Sequence, residues 1–470
     1  MPATAKSNLR KVHFLGICGT AMGSLAAALR DRGVEVSGSD ENVYPPMSTF
    51  LQDKGIRISA GFRPENLPPD ADFVVIGNAM KRGNPEVEAV LNRKLLYYSL
   101  PEALKIFFLR GKHNLVVTGT HGKTTTTSLL AWIFESAALE PSWLIGGIPN
   151  NLGQGCRLGD SKYFILEGDE YDTAFFDKRS KFIHYLPELL VVNNIEFDHA
   201  DIFRDLEDIM TSFRRLLQIV PGEGMVLLNA DDPNCRTLAE GCPAPLLEVG
   251  FSPNAGNHIR DVRLGRDESA FTIFGEKFEI PMIGEFNVRN AAMAVSAAHF
   301  YNIPADAIRR ALVTFTGIRR RQEVRGEAGG VTVIDDFGHH PTAIAQTLDG
   351  LRVKYPSAKL WAIFEPRSNT TRRAVFQDVL PRAFAGADGV VLAKVARLEQ
   401  LPESERLRPE KVVADLRKAG KMAFYEPEVS AIVERVGESA NPGDVVVVFS
   451  NGGFDDIHTK LLDRLAALEK

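Results

Sequence analysis

Asn114-Leu115-Val116-Val117-Thr118-Gly119-Thr120-His121-Gly122-Lys123-Thr124-Thr125 decides the fold. Asn114 to Val117 reads as a strand that runs directly into a turn with glycines on both sides. Thr125 to Ser136 reads as the helix that follows. Such a strand–loop–helix turn gathers backbone N–H groups and the positive end of a helix around an anion. Lys123 reaches terminal phosphates, and the Thr124 hydroxyl suits magnesium. Gly119, Thr120, His121, Gly122, Lys123, Thr124 and Thr125 are therefore the candidate nucleotide contacts. Gly-Lys-Thr alone is weak, since chance produces Gly-Lys-Ser/Thr roughly once in four chains of this length. The strand before it and the helix after it supply the specificity. Val117 stands where the commoner phosphate-loop pattern has its first glycine.

The same alternation of strand and helix extends in both directions. Val12 to Leu15 reads as a strand, Met22 to Arg30 as a helix ended by Gly33, Val34 to Val36 as a strand closing on Gly38-Ser39-Asp40, and Phe73 to Ile76 as a third strand. After the phosphate loop come strands at Tyr163–Leu166, Leu189–Val192 and Met225–Leu228, and an alanine-rich helix from Asn287 to Phe300. Beyond Gly317 and Arg319-Arg320-Arg321, strands recur at Val331–Ile334, Leu360–Ile363, Val390–Ala393 and Val445–Val448. Strands alternating with helices imply parallel, doubly wound sheets. The expectation is three α/β domains: a Rossmann-like domain over 1–110, a P-loop ATPase-like domain over 111–320, and a Rossmann-like domain over 321–470.

Composition narrows the function. The chain has 470 residues, 44% hydrophobic and 24% charged, an ordinary balance for a globular protein. A net charge of -5 argues against a broad nucleic-acid surface. Cys18, Cys156, Cys235 and Cys242 show no C-x-x-C spacing, so no zinc or redox motif is indicated, and isolated thiols fit a reducing compartment. The N-terminal stretch Met1 to Arg10 is polar and unlike a signal peptide, and no apolar run is long enough to span a membrane. The expectation is a cytoplasmic protein without membrane insertion.

Acids complete the phosphate site. Glu167-Gly168-Asp169-Glu170 and Asp198-His199-Ala200-Asp201 each follow a strand, at the sheet edge where such folds bind ligands. Glu167 and His199 are the candidate magnesium ligands, although a lone loop acid is as often simply solvated and a lone histidine is more often structural than a ligand; their occurrence together at strand ends beside a phosphate loop favours function. Gly16-Ile17-Cys18-Gly19-Thr20-Ala21-Met22-Gly23 is a second strand–loop–helix site, with Asp40 placed to grip a ribose. A redox enzyme needs only this first loop. A simple NTPase needs only the Gly119–Thr125 loop.

Five ordered motifs then resemble the Mur ligases, the ATP-dependent amide ligases of peptidoglycan synthesis. They are Gly119–Thr125, Asn194–His199, Gly284–Asn290, Phe315-Thr316-Gly317 with Arg321, and Asp335–Pro341. The resemblance implies ATP and magnesium as cofactors. It gives Lys123, Glu167 and His199 the catalytic roles, with Thr124 beside Glu167 and His199 as metal ligands. Asn287, Asn290, Arg321 and Asp336 would hold the nucleotide, and Gly19, Thr20 and Asp40 a UDP-sugar.

Within the family, Phe197, the run Phe364–Thr370 and the run Ser450–Phe454 are similar to the members that attach a recycled tripeptide, L-alanyl-γ-D-glutamyl-meso-diaminopimelate, to UDP-N-acetylmuramate. Arg367, Ser368, Asn369 and Asn451 are the implied peptide contacts, Arg367 because its fork matches a carboxylate. Two departures stand out. Phe286 replaces a usual histidine, and no lysine lies between Ala200 and Val220 where several members carry a carbamylated one. The alternatives are an L-alanine-adding ligase, a dinucleotide-dependent oxidoreductase using the first loop, and a non-catalytic nucleotide-binding protein.

Overall fold

A computed structural model describes residues 9–44 and 47–467, so most of the polar N-terminal stretch, residues 1–8, lies outside the described residues. The first sheet contains β1 (Lys11–Leu15), β2 (Glu35–Asp40), β3 (Arg57–Ala60), β4 (Phe73–Ile76) and β5 (Tyr97–Ser99). Its order is β3-β2-β1-β4-β5, with every neighbour parallel. Strand order reverses on either side of β1, the switch point where doubly wound sheets open a ligand crevice. The helix Thr20–Asp31 buries Met22, Leu25, Ala26 and Leu29 on one face. β2 runs further than expected, to Asp40, because Ser37 to Ser39 pair with strands on both sides.

The phosphate loop lies on a larger sheet. Its strands are β6 (His113–Thr118), β7 (Ser142–Leu144), β8 (Cys156–Arg157) and β9 (Tyr163–Glu167), followed by a separate hairpin, β10 (Asp172–Ala174) and β11 (Asp177–Ser180). The large sheet continues with β12 (Leu189–Val192), β13 (Met225–Asn229), β14 (Leu246–Gly250) and β15 (Asn257–His258). The order is β15-β14-β13-β12-β6-β9-β7-β8, parallel except for the β7–β8 pair. β6 is flanked by β12 and β9. The loops leaving these three strands therefore share one carboxyl edge. Leu189 to Val192 and Tyr163 to Leu166 are all buried, as parallel strands covered on both faces must be.

A three-stranded antiparallel sheet comes next, formed by β16 (Arg260–Leu264), β17 (Ser269–Ile273) and β18 (Glu276–Ile280). The last sheet comprises β19 (Glu323–Ala328), β20 (Val331–Asp336), β21 (Leu360–Phe364), β22 (Gly389–Leu392), β23 (Met422–Tyr425) and β24 (Val445–Phe449). Its order is β19-β20-β24-β21-β22-β23, with only β19 antiparallel. Two apolar layers sandwich it. One contains Ile344, Leu348, Phe364, Phe384 and Val447, the other Trp361, Ile432, Val448, Ile457 and Leu461.

The chain packs as two compact units. The first comprises residues 1–196, 206–258 and 292–311; the second comprises 197–205, 259–291 and 312–470. The segment 197–205, which carries His199, thus belongs to the unit that holds the last sheet. No helix among the described residues is long and apolar enough to cross a membrane.

Candidate functional site

The phosphate loop begins where β6 ends. Gly119 has φ +126°, and a Cβ there would lie 3.0 Å from both the N and O of Asn194 and 3.1 Å from Asn193 Cβ. Only glycine fits this conformation and this space. Gly122 caps the helix Lys123–Ser136 in a left-handed conformation with φ 75°. Asn194 braces the turn from the next strand: its Oδ1 accepts the His121 N–H at 2.8 Å, and its Nδ2 donates to His121 O at 3.2 Å. Thr120 and Glu196 interlock as well, with Glu196 N donating to Thr120 Oγ1 at 2.8 Å.

Lys123 and Thr124 open that helix. Lys123 Nζ donates to Gly119 O at 2.7 Å and to both carboxylate oxygens of Glu170 at 3.0 and 2.9 Å. Burial pulls the lysine pKa down, but Glu170, Asp169 and Glu167 more than offset it and leave the pKa raised. The ammonium is therefore firmly charged. Thr124 Oγ1 donates to Glu167 Oε1 at 3.0 Å, and Glu167 Oε2 accepts the Gly146 N–H at 2.7 Å. A hydroxyl and a carboxylate are hard oxygen donors, which magnesium prefers, so Thr124 and Glu167 fit that ion. Glu170, only 2% exposed, is a site residue that the sequence reading left unassigned.

The first loop is held from below. Gly16 N and Ile17 N both donate to Ser39 O, at 2.8 and 3.2 Å. Ser39 Oγ donates in turn to Glu86 Oε2 at 2.5 Å. Glu86 is fully buried, and its Oε1 accepts the Arg63 N–H at 3.0 Å and the Asn66 side-chain amide. Burial would raise the Glu86 pKa, but His13, Ser39, Arg63 and Asn66 lower it further. Asp40, expected as a ribose contact, shapes the loop: Oδ2 accepts the Cys18 N–H at 2.9 Å and Oδ1 the Asn42 N–H at 2.9 Å. Gly19 precedes the helix that starts at Thr20, so these two of the three expected UDP-sugar contacts lie where a helix N-terminus meets the switch point.

The second unit holds the other expected residues. Asp198 Oδ1 accepts the His199 N–H at 2.7 Å and the Thr370 hydroxyl at 2.5 Å. His199 takes a left-handed backbone conformation with φ 55°, uncommon for a non-glycine residue. Burial opposes the charge on Asp198, yet His339, His199 and His340 hold its pKa well below the usual carboxylate range. Asn287 is buried and donates to Ile283 O at 2.8 Å, while Asn290 Nδ2 donates to Asn287 Oδ1 at 3.4 Å. Gly284, at φ +90°, lies against the Phe286 ring, where a Cβ would come within 2.6 Å of Cε1. Phe286 thus packs back on the turn before its own helix. Asp336 accepts the Gly338 N–H at 2.7 Å and the Gln322 N–H at 3.0 Å, and burial raises its pKa. Arg321 lies 5.1 Å from the Phe337 ring centroid.

The Glu365–Thr371 loop leaves β21. Arg367 is half-exposed, rests against Gly452, and reaches Glu365 Oε1 at 3.4 Å. Glu365 Oε2 accepts the Ser450 hydroxyl at 2.6 Å. Ser368 Oγ lies 2.9 Å from Thr371 Oγ1. Asn369 Nδ2 donates to Asp201 Oδ2 at 2.7 Å. Among the described residues the buried Oδ1 of Asn451 has no hydrogen-bond partner, an unmet acceptor beside the loop. Arg367, Ser450 and Gly452 therefore converge at the carboxyl ends of β21 and β24.

Three family models match this chain in order. Residues 11–111 match the Mur ligase family catalytic domain, 117–298 the Mur ligase middle domain, and 320–452 the Mur ligase glutamate ligase domain. The chain belongs to the Mur ligase family. Among Mur ligases it is 45% identical over 464 residues to the UDP-N-acetylmuramate–L-alanyl-γ-D-glutamyl-meso-2,6-diaminoheptandioate ligase of Escherichia coli, covering 97% of this chain and 98% of that one. It is 33% identical to the UDP-N-acetylmuramate–L-alanine ligase of Acetivibrio thermocellus, covering 95% of this chain and 94% of that one. A solved murein peptide ligase from Psychrobacter arcticus superposes with a TM-score of 0.72 at 36% identity, covering 97% of this chain and 99% of that one. As in other Mur ligases, its three domains are α/β.

Proposed function

We propose that this Mur ligase joins L-alanyl-γ-D-glutamyl-meso-diaminopimelate to UDP-N-acetylmuramate, with ATP cleaved to ADP and phosphate. The observation that carries the reading is the 45% identity, over nearly the whole of both chains, to a relative named for that pair of substrates. The relative named for L-alanine as the amine reaches 33%.

The lactyl carboxylate of UDP-N-acetylmuramate attacks the γ-phosphorus of ATP, and ADP leaves. The resulting acyl phosphate is attacked by the alanyl amine, the amide forms, and phosphate departs with the negative charge. Positioning and charge neutralisation carry such chemistry. Lys123 supplies a fixed positive charge to the phosphates. Thr124 and Glu167 would hold magnesium, which when bound neutralises phosphate charge. His199 is assigned to a second magnesium. Asn287, Asn290, Arg321 and Asp336 are assigned to the nucleotide, and Gly19, Thr20 and Asp40 to the UDP-sugar. Arg367, Ser368, Asn369 and Asn451 are assigned to the peptide. Four free cysteines fit the reducing cytoplasm, where these substrates would be met. Product analysis with competing amines tests the reading: the tripeptide adduct supports it, and an alanine adduct alone sinks it.

A further inference from the structure

Arg320 stands in the segment ahead of β19, and its side chain reaches the loop that leaves β24. Its Nη2 donates to two carbonyls of that loop, Ser450 O and Gly452 O, both at 2.8 Å. Its Nε donates to Asp335 Oδ2 at 3.1 Å. Asp335, in β20 and only 1% exposed, also lies 3.4 Å from Nε2 of His458, on the helix Ile457–Ala466 that follows the loop. One buried carboxylate thus reaches the loop through Arg320 and the helix after it through His458. The backbone is unusual at both places. Arg320 has φ 61°, and Phe454, Asp455 and Asp456 have φ 46°, 49° and 52°. Left-handed conformations in non-glycine residues persist where the surroundings hold them, and they gather at functional sites. Arg320 O accepts the Phe337 N–H at 2.8 Å, which fixes the backbone from which the side chain departs.

The loop so held is the floor beneath Arg367, since a Cβ at Gly452 would run into the Arg367 guanidinium. The Ser450 hydroxyl donates to Glu365 Oε2 at 2.6 Å, and Glu365 Oε1 lies 3.4 Å from Arg367 Nη1. Gly452 and Glu365 therefore place Arg367, and Arg320 places Gly452. We infer that Arg320 is a positioning residue of the ligase reaction, holding the Ser450–Gly452 loop so that Arg367 presents its fork to a carboxylate of the amine substrate. The inference rests on the functional reading above, in which Arg367 meets the peptide. Arg320 acts through the backbone of Ser450 and Gly452, whereas its neighbour Arg321 is assigned to the nucleotide. An arginine suits the task because one planar fork meets a carboxylate and two carbonyls at once, and an ammonium is only a point charge. Arg325 Nη1 lies 3.5 Å from Asp335 Oδ2, so Asp335 keeps a cation beside it when Arg320 is cut back.

The test measures kcat and the KM values for ATP, UDP-N-acetylmuramate and L-alanyl-γ-D-glutamyl-meso-diaminopimelate in the wild type, Arg320→Ala, Arg320→Lys and Asp335→Asn. Arg320→Ala should raise the peptide KM about tenfold or more, two bonds from a charged donor being lost, and leave the other two KM values within about twofold. Its kcat should fall by less than the peptide KM rises. Arg320→Lys should recover only part of the loss. Asp335→Asn should show the same pattern more weakly, because Arg320 keeps its two carbonyls. Melting temperatures identify a variant that has lost its fold, and the folded variants among Arg320→Lys and Asp335→Asn then decide the matter. An unchanged peptide KM in folded Arg320→Ala, or an equal rise in all three KM values, overturns the proposal while leaving the functional reading intact. No wild-type turnover of the peptide removes that reading and the proposal with it.

Discussion

Lys123 Nζ lies 3.0 and 2.9 Å from the two carboxylate oxygens of Glu170, a residue only 2% exposed. The pair keeps the lysine charged and aimed across the turn that begins at Gly119. Removing one partner of a buried pair leaves an uncompensated charge, at about 3–5 kcal/mol. Lys123→Ala should therefore lower stability by that order and reduce substrate-dependent phosphate release about a thousandfold or more. The double variant Lys123→Ala with Glu170→Gln should recover most of the stability and none of the activity. Denaturant titration and a phosphate assay read the two effects separately. Near-normal turnover in Lys123→Ala would remove this lysine from the chemistry.

Gly119→Ala tests the turn itself. A methyl group there has no room beside Asn194 and Asn193, and the φ of +126° is strained for alanine. The expected cost is about 1–3 kcal/mol of stability, with a larger proportional loss of ATP binding as the turn opens. Asn194→Ala leaves Gly119 untouched but removes both side-chain bonds to His121. It should weaken ATP binding with a smaller loss of stability. Calorimetric titration of ATP on both variants checks the order; unchanged affinity in both would show that the turn does not hold the nucleotide.

Glu86 gives a pH prediction. Its folded pKa is depressed below the ordinary 4.5. A carboxylate of this kind stabilises the fold above its unfolded pKa, and that contribution fades as pH falls through the folded one. Glu86→Gln should therefore flatten the decline in stability below about pH 4.5. Because Glu86 holds Ser39, whose carbonyl holds Gly16 and Ile17, the variant should also raise the KM for UDP-N-acetylmuramate more than that for the peptide. A melting series from pH 3 to 7 and paired KM measurements read both effects. Equal rises in both KM values would place Glu86 outside the acceptor site.

Arg367→Ala should raise the peptide KM by about tenfold or more and leave that for UDP-N-acetylmuramate within about twofold, the loss being one charge-assisted contact. Arg367→Lys should recover only part, because a point charge lacks the fork. Equal effects on both substrates would mean that the peptide loop is elsewhere.

Much of this was legible in the sequence because it is local. An apolar run, a glycine turn and a helix lie within a dozen residues at the phosphate loop, and the same signature announces β1 and its loop. The alternation of strands and helices announced the parallel sheets. The antiparallel sheet over Arg260–Ile280 was missed, although Phe271 and Ile273, then Phe278 and Ile280, alternate with period two. β16 is exposed throughout, so it offers no apolar signal. Glu170 could not be told from Glu167 and Asp169 by sequence, because which acid is buried depends on how the loop after β9 turns. Glu86 lies 47 residues from Ser39, and only the fold joins them. Asp40 and Asp336 each tie two segments together, Asp40 accepting the N–H groups of Cys18 and Asn42 and Asp336 those of Gln322 and Gly338, a bracing that only the fold reveals.

The measurement that bears most directly on the central claim is mass spectrometry of the products formed from ATP, magnesium, UDP-N-acetylmuramate and an equimolar mixture of L-alanine and L-alanyl-γ-D-glutamyl-meso-diaminopimelate. The account predicts UDP-N-acetylmuramyl-tripeptide as the dominant product, formed one-for-one with ADP and phosphate. A product carrying L-alanine alone, or ATP hydrolysis without any amide, would contradict it.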